Sequence, residues 1–93
     1  MLIDPAIQFR LAQAKDACIE RMKETADWLL AADHADRDSL RQCGHRLTGT
    51  LGSFGFTEAA KLAAALEKAC GEDQGAVRTA VEALVAALRT LPR

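Results

Sequence analysis

Apolar residues recur at three- and four-residue steps through Ile7, Leu11, Ala14, Cys18, Met22 and Leu29, apart from one two-turn gap. That period marks one face of an α-helix, so the pattern predicts a long amphipathic helix ending near Leu30. Asp4-Pro5 supplies its start: a side chain able to cap free N–H groups, then proline at the first helical position. Ala32-Asp33-His34-Ala35-Asp36 breaks the pattern with polar capping groups. A second stripe of Leu40, Cys43, Leu47, Leu51 and Phe54 follows, and Gly55 suits a left-handed stop. Thr57 is placed to cap a third helix, with Ala59, Leu62, Ala63, Leu66 and Cys70 inward and Gly71 at its end. After the polar turn Glu72-Asp73-Gln74-Gly75, a fourth helix presents Val77, Val81, Leu84, Val85, Leu88 and Leu91 until Pro92 stops it. Short connections make sequential helices antiparallel neighbours. The expectation is one all-α domain over residues 1–93: an up-and-down antiparallel four-helix bundle with a long first helix.

Composition narrows function more than fold. A 93-residue chain that is 49% hydrophobic and 27% charged is an ordinary single globular domain. Its net charge of −1 argues against a nucleic-acid partner, and no helix carries the basic face of a helix-turn-helix reader. No apolar run approaches the roughly 20 residues that cross a bilayer. The opening Met1-Leu2-Ile3-Asp4-Pro5 lacks the charged start and apolar stretch of a secretory signal. Cys18, Cys43 and Cys70 are odd in number and widely spaced, without a Cys-x-x-Cys pair. They fit small buried thiols in a reducing compartment better than a disulfide framework or a metal site. These features point to a cytoplasmic protein with no metal of its own.

Candidate chemistry gathers in Gly44-His45-Arg46-Leu47-Thr48-Gly49-Thr50-Leu51-Gly52. Each glycine inside a helix costs about 1 kcal/mol relative to alanine, so Gly44, Gly49 and Gly52 want a reason. At 100° per residue His45 falls about 155° from the centre of its helix's apolar stripe, on the solvent side. Gly49 and Gly52, at i+4 and i+7, lie along the same outward line, with Arg41 at i−4 the one bulky neighbour. A lone surface histidine is more often only that, and helix glycines often serve packing. Here Gly49 and Gly52 point away from the core, so a titratable imidazole stands beside bare backbone that another molecule can approach closely.

His45-Arg46-Leu47-Thr48-Gly49-Thr50-Leu51-Gly52-Ser53-Phe54-Gly55-Phe56 resembles the signature of histidine-containing phosphotransfer (HPt) domains. The run Gly52-Ser53-Phe54-Gly55-Phe56-Thr57 is similar to the phosphotransfer domain of bacterial chemotaxis kinases. The resemblance covers most of the chain, to Leu91, and implies a carrier of phosphoryl groups between a sensor or hybrid histidine kinase and response-regulator receiver domains. It implies phosphorylation of His45, with Gly44, Gly49 and Gly52 at the partner-binding surface. Glu67, at the edge of the third helix's stripe, matches the glutamate that orients the imidazole. Without the resemblance, Glu67 would be a solvated charge paired with Lys68 or Arg41. An acceptor on Nδ1–H would leave Nε2 as the nucleophile. No cofactor is expected on this chain; Mg²⁺ is expected in the partner, because no carboxylates here cluster with ligand spacing.

One departure matters: the family's lysine falls at Thr48. Phosphoryl transfer needs charge neutralised over the equatorial oxygens of a loose transition state, and a hydroxyl brings no charge. Four outcomes stay open: the partner's Mg²⁺ and lysine suffice, Arg41 (better placed than Arg46) substitutes, transfer is slow, or it is lost. The last would make the chain a degenerate docking module that binds a receiver or kinase without phosphotransfer. A plain bundle used for homodimerisation leaves the outward glycines unexplained, and a monomer is expected. Elsewhere, His34 falls in a polar turn and Trp28 is assigned to core or bundle-end packing, where exposure would instead suit partner docking. Lys61, Lys68, Arg78, Glu82 and Arg89 are assigned to solvated faces.

Overall fold

A computed structural model describes residues 4–92. Residues 1–3, part of the opening stretch read for a secretory signal, lie outside them, as does residue 93. Four helices follow one another: α1 (Pro5–Ala31), α2 (Arg37–Ser53), α3 (Thr57–Ala69) and α4 (Gln74–Arg89). The all-α four-helix architecture is the one expected from the hydrophobic pattern, and α1 is the longest element. Among the described residues, no helix is long and apolar enough to cross a membrane.

The helix ends follow from local chemistry. The Asp4 carboxylate accepts the Ala6 N–H at 2.7 Å, with Pro5 in the first turn. Asp36 caps α2 by accepting the Ser39 N–H at 3.2 Å. The α2 stop is a paired motif: Gly55 donates its N–H to the Gly52 carbonyl at 3.1 Å, and Phe56 donates to Leu51 at 2.9 Å. Gly55 sits at φ +79, which a glycine adopts without a Cβ penalty. Phe56 and Leu51 are both buried, the apolar contact that accompanies such a stop.

Two boundaries differ from the expectation. Thr57 does not cap α3; Phe56 holds that position without a side-chain hydrogen bond, and the Thr57 hydroxyl donates instead to the Gly55 carbonyl at 3.5 Å. Gln74 and Gly75 belong to α4 rather than to the turn before it, because Asp73 accepts the Ala76 N–H at 2.8 Å and starts the helix there.

The core joins all four elements: Cys18, Ile19, Met22, Ala26 and Leu29 from α1 meet the stripes of α2, α3 and α4. The closest helix pairs are α2 with α3, α3 with α4, and α1 with α4. Twenty-seven residues of α1 span about 40 Å, against about 25 Å or less for each of the others. Its first half therefore runs past the bundle, within a molecule 48 Å long and 23 × 19 Å across. Ile7 and Leu11 continue the core stripe by spacing yet are 51% and 56% exposed, so the expected inward face begins only at Cys18. Trp28 likewise is 46% exposed and does not fill the core.

Polar ties hold the ends. Arg37 donates to the Cys70 carbonyl at 3.0 Å, to the Glu72 carbonyl and to Gln74 Oε1, joining the start of α2 to the α3–α4 turn. A guanidinium there also suits the partial negative charge of the α3 C-terminus. Arg89 meets Asp27 at 2.8 Å between α4 and α1, and the Lys15 ammonium lies 5.2 Å from the Phe56 ring centre.

Candidate functional site

His45 lies midway along α2 with its imidazole 78% exposed, on the solvent side that helical phasing gives it. Leu40, Cys43, Leu47 and Leu51 turn the opposite side of the same helix into the core, which is what forces His45 outward. Glu67, on α3, reaches across: its Oε2 is 3.1 Å from His45 Nδ1. A carboxylate only accepts hydrogen bonds, so in the neutral ring this contact favours the tautomer with its proton on Nδ1, which leaves the Nε2 lone pair free. Neither Lys68 nor Arg41 takes Glu67; the arginine pairs with Asp38 one turn earlier on its own helix.

The three helix glycines divide. A Cβ added at Gly49 or Gly52 would meet nothing within 4 Å, so both leave open backbone beside the imidazole. Gly44 does not belong to that strip. It is buried, and a Cβ there would come 2.8 Å from the Ala63 carbonyl oxygen and 3.1 Å from the Glu67 nitrogen. The expectation that Gly44 lines a partner-facing surface is thereby corrected: one residue before His45, the helix has turned about 100° toward α3.

Thr48 is half-buried and its hydroxyl donates to the Gly44 carbonyl at 2.8 Å. The hydroxyl at the position of the family's lysine is thus directed back into its own helix. Asp38, which the sequence pattern did not single out, pairs with Arg41, the cation one turn before His45 on α2. The signal for it was the i, i+3 spacing to Arg41 at the start of α2.

The three thiols are far less exposed than the imidazole. Cys18, Cys43 and Cys70 are free and buried, and burial pushes each thiol above its ordinary range. Nearby arginines oppose this: Arg21 at Cys18, Arg46 at Cys43, Arg41 and Arg37 at Cys70. Neutral buried thiols are poor nucleophiles and poor ligands. Among the described residues, no three His, Cys, Asp or Glu side chains gather into a group that could hold a metal ion.

A family model described as "Hpt domain" matches residues 10–91, nearly the whole chain. Neither the curated proteins nor the solved structures contain a match to it.

Proposed function

The chain belongs to the Hpt domain family, whose members take part in phosphotransfer in two-component signalling, and we propose that Nε2 of His45 is its phosphoryl-carrying atom. The observation that carries this reading is the pairing of an imidazole 78% exposed with a carboxylate 3.1 Å from its other nitrogen. In the proposed step, the Nε2 lone pair forms a bond to the phosphorus of a receiver aspartyl phosphate. The P–O bond to aspartate breaks in line, and the carboxylate leaves with that electron pair. No proton has to move: Nδ1–H stays on the ring, and Glu67 sits beside the positive charge the imidazole gains. The reverse sequence returns the phosphoryl group to a receiver, and a kinase nucleotide can donate in the same geometry.

Gly49 and Gly52 support close approach, because no side chain rises from the helix beside His45 at those positions. The partner is a receiver domain or a histidine kinase, which brings the Mg²⁺ that shields the phosphoryl oxygens. This chain acts as a carrier that depends on its partner's catalytic groups.

A second reading, docking without transfer, draws on the same site. The family's lysine is replaced by Thr48, whose hydroxyl is bonded to Gly44, while Arg41 pairs with Asp38. The position of the family's lysine therefore brings no charge, and the arginine one turn before His45 is already tied to a carboxylate.

³¹P NMR of the protein incubated with Mg²⁺ and a phosphorylated receiver separates the two. An acid-labile phosphohistidine signal is expected, and His45→Gln should abolish it while moving the thermal midpoint little, since an exposed ring adds little packing. Absence of the signal with several competent donors, with receiver binding retained, would overturn the carrier reading in favour of docking. A large loss of stability in His45→Gln would show that the ring is buried in solution.

A further inference from the structure

We propose that Gly44 is a positioning residue for His45, setting the α2–α3 gap across which Glu67 reaches the imidazole; the inference rests on the carrier reading above for its functional meaning. The atoms that an added Cβ would strike are backbone: the Ala63 carbonyl oxygen at 2.8 Å, the Glu67 nitrogen at 3.1 Å and the Glu67 Cα at 3.5 Å. No flexible side chain can swing aside to relieve them, so α3 itself would have to shift. The displaced segment is the one that carries the carboxylate, and Gly44 is the residue that precedes the histidine. The bare position and the Nδ1–Oε2 hydrogen bond of 3.1 Å therefore measure one and the same separation. A few tenths of an ångström at this contact moves that bond toward about 3.5 Å, where it ceases to count as one. The Thr48 hydroxyl, bonded at 2.8 Å to the Gly44 carbonyl, braces the same peptide from within α2.

The chemical consequence falls on the attacking atom. With Glu67 in reach, the ring proton stays on Nδ1 and Nε2 is bare. With the carboxylate withdrawn, the proton spreads over both nitrogens, and the molecules that carry it on Nε2 have no lone pair to offer phosphorus. A Cβ at Gly49 or Gly52 would meet nothing within 4 Å, so these two exert no such control. One helix thus uses its glycines for two separate purposes.

The test is ¹⁵N NMR of the imidazole nitrogens in the unphosphorylated protein, with His34 as internal reference. Wild type should show His45 with its proton on Nδ1. Gly44→Ala should shift His45 to mixed tautomers, as should Glu67→Ala, which leaves the helix gap alone, while His34 keeps its pattern. With a phosphorylated receiver, both variants should lose about tenfold in transfer rate constant at unchanged receiver Kd. If Gly44→Ala does not fold, Glu67→Asp opens the same separation by drawing the carboxylate back one methylene and carries the same expectation. A folded variant with the wild-type tautomer, or a wild type already in mixed tautomers, overturns the positioning role. Because the tautomer is read without any phosphodonor, a wild type that takes no phosphoryl group sinks the carrier reading alone.

Discussion

At the scale of single residues, an exposed imidazole meets a carboxylate through Nδ1, but a neutral threonine stands where the family has its lysine, and Arg41 is tied to Asp38. Thr48 is where that deficit can be corrected. Its hydroxyl bonds a carbonyl that already lies within the helix, so replacing it leaves no buried group orphaned, and lysine is a better helix former than threonine. Thr48→Lys should therefore stay folded and raise the rate of transfer from a phosphorylated receiver by about tenfold, equivalent to ~1.4 kcal/mol of transition-state stabilisation. Rapid-quench measurement of the phosphohistidine formed per unit time checks this. An unchanged rate would mean that the partner's Mg²⁺ and lysine already neutralise the phosphoryl oxygens. The outward placement of His45, Gly49 and Gly52 was legible in the sequence because one helical period fixes all three. Gly44 was not, since a helix wheel shows which way a position faces but not how near the next helix's backbone comes. Asp38 was open to reading from its i, i+3 spacing to Arg41, whereas the bond of Thr48 back to its own helix depends on a rotamer.

Among the elements, α1 departs furthest from its own pattern. Ile7, Leu11 and Ala14 obey the same spacing as Cys18 and Met22, and the spacing alone extended the buried face over all of them. The bundle ends first, because α2, α3 and α4 are each shorter by ten residues or more. Periodicity reports what a helix could bury, whereas the length of its neighbours decides what it does bury. The Ile7→Ser/Leu11→Ser double variant should accordingly change the urea-unfolding free energy by no more than about 1 kcal/mol, the range of two exposed substitutions. Leu29→Ala, fully buried on the same helix, should cost about 2–5 kcal/mol. A cost of several kcal/mol for the double variant would show that the overhanging turns are covered in solution. The two boundary differences have another origin. Residue type suits Thr57 to a cap and Gln74-Gly75 to a turn, but the Phe56 backbone and the Asp73 carboxylate take the cap positions.

For the whole molecule, the three thiols report on the core because each enters it from a different place. Cys18 lies at the middle of α1, Cys43 in the first half of α2 and Cys70 at the end of α3, and all three belong to one apolar cluster. Burial raises each thiol above the usual value of 9.0, which means that the native state holds the proton more tightly than the unfolded chain does. Stability from this source is fully present below the unfolded value. It declines as pH climbs past about 9, where unfolding releases protons that the folded state keeps. The urea midpoint should therefore fall between pH 8 and pH 10, and fall less in a Cys18→Ala/Cys43→Ala/Cys70→Ala variant whose lower starting stability is measured alongside. Reactivity supplies the companion measurement. At neutral pH all three should resist an aromatic disulfide reagent and then react together as urea is added, at a rate that tracks global unfolding. One thiol reacting early would break that unity, and Cys70 is the one to watch, since it closes α3 beside the Arg37 ties to the α3–α4 turn. Early reaction at Cys70 alone would place a local opening at that end of the bundle, where a guanidinium on carbonyl oxygens supplements the apolar packing.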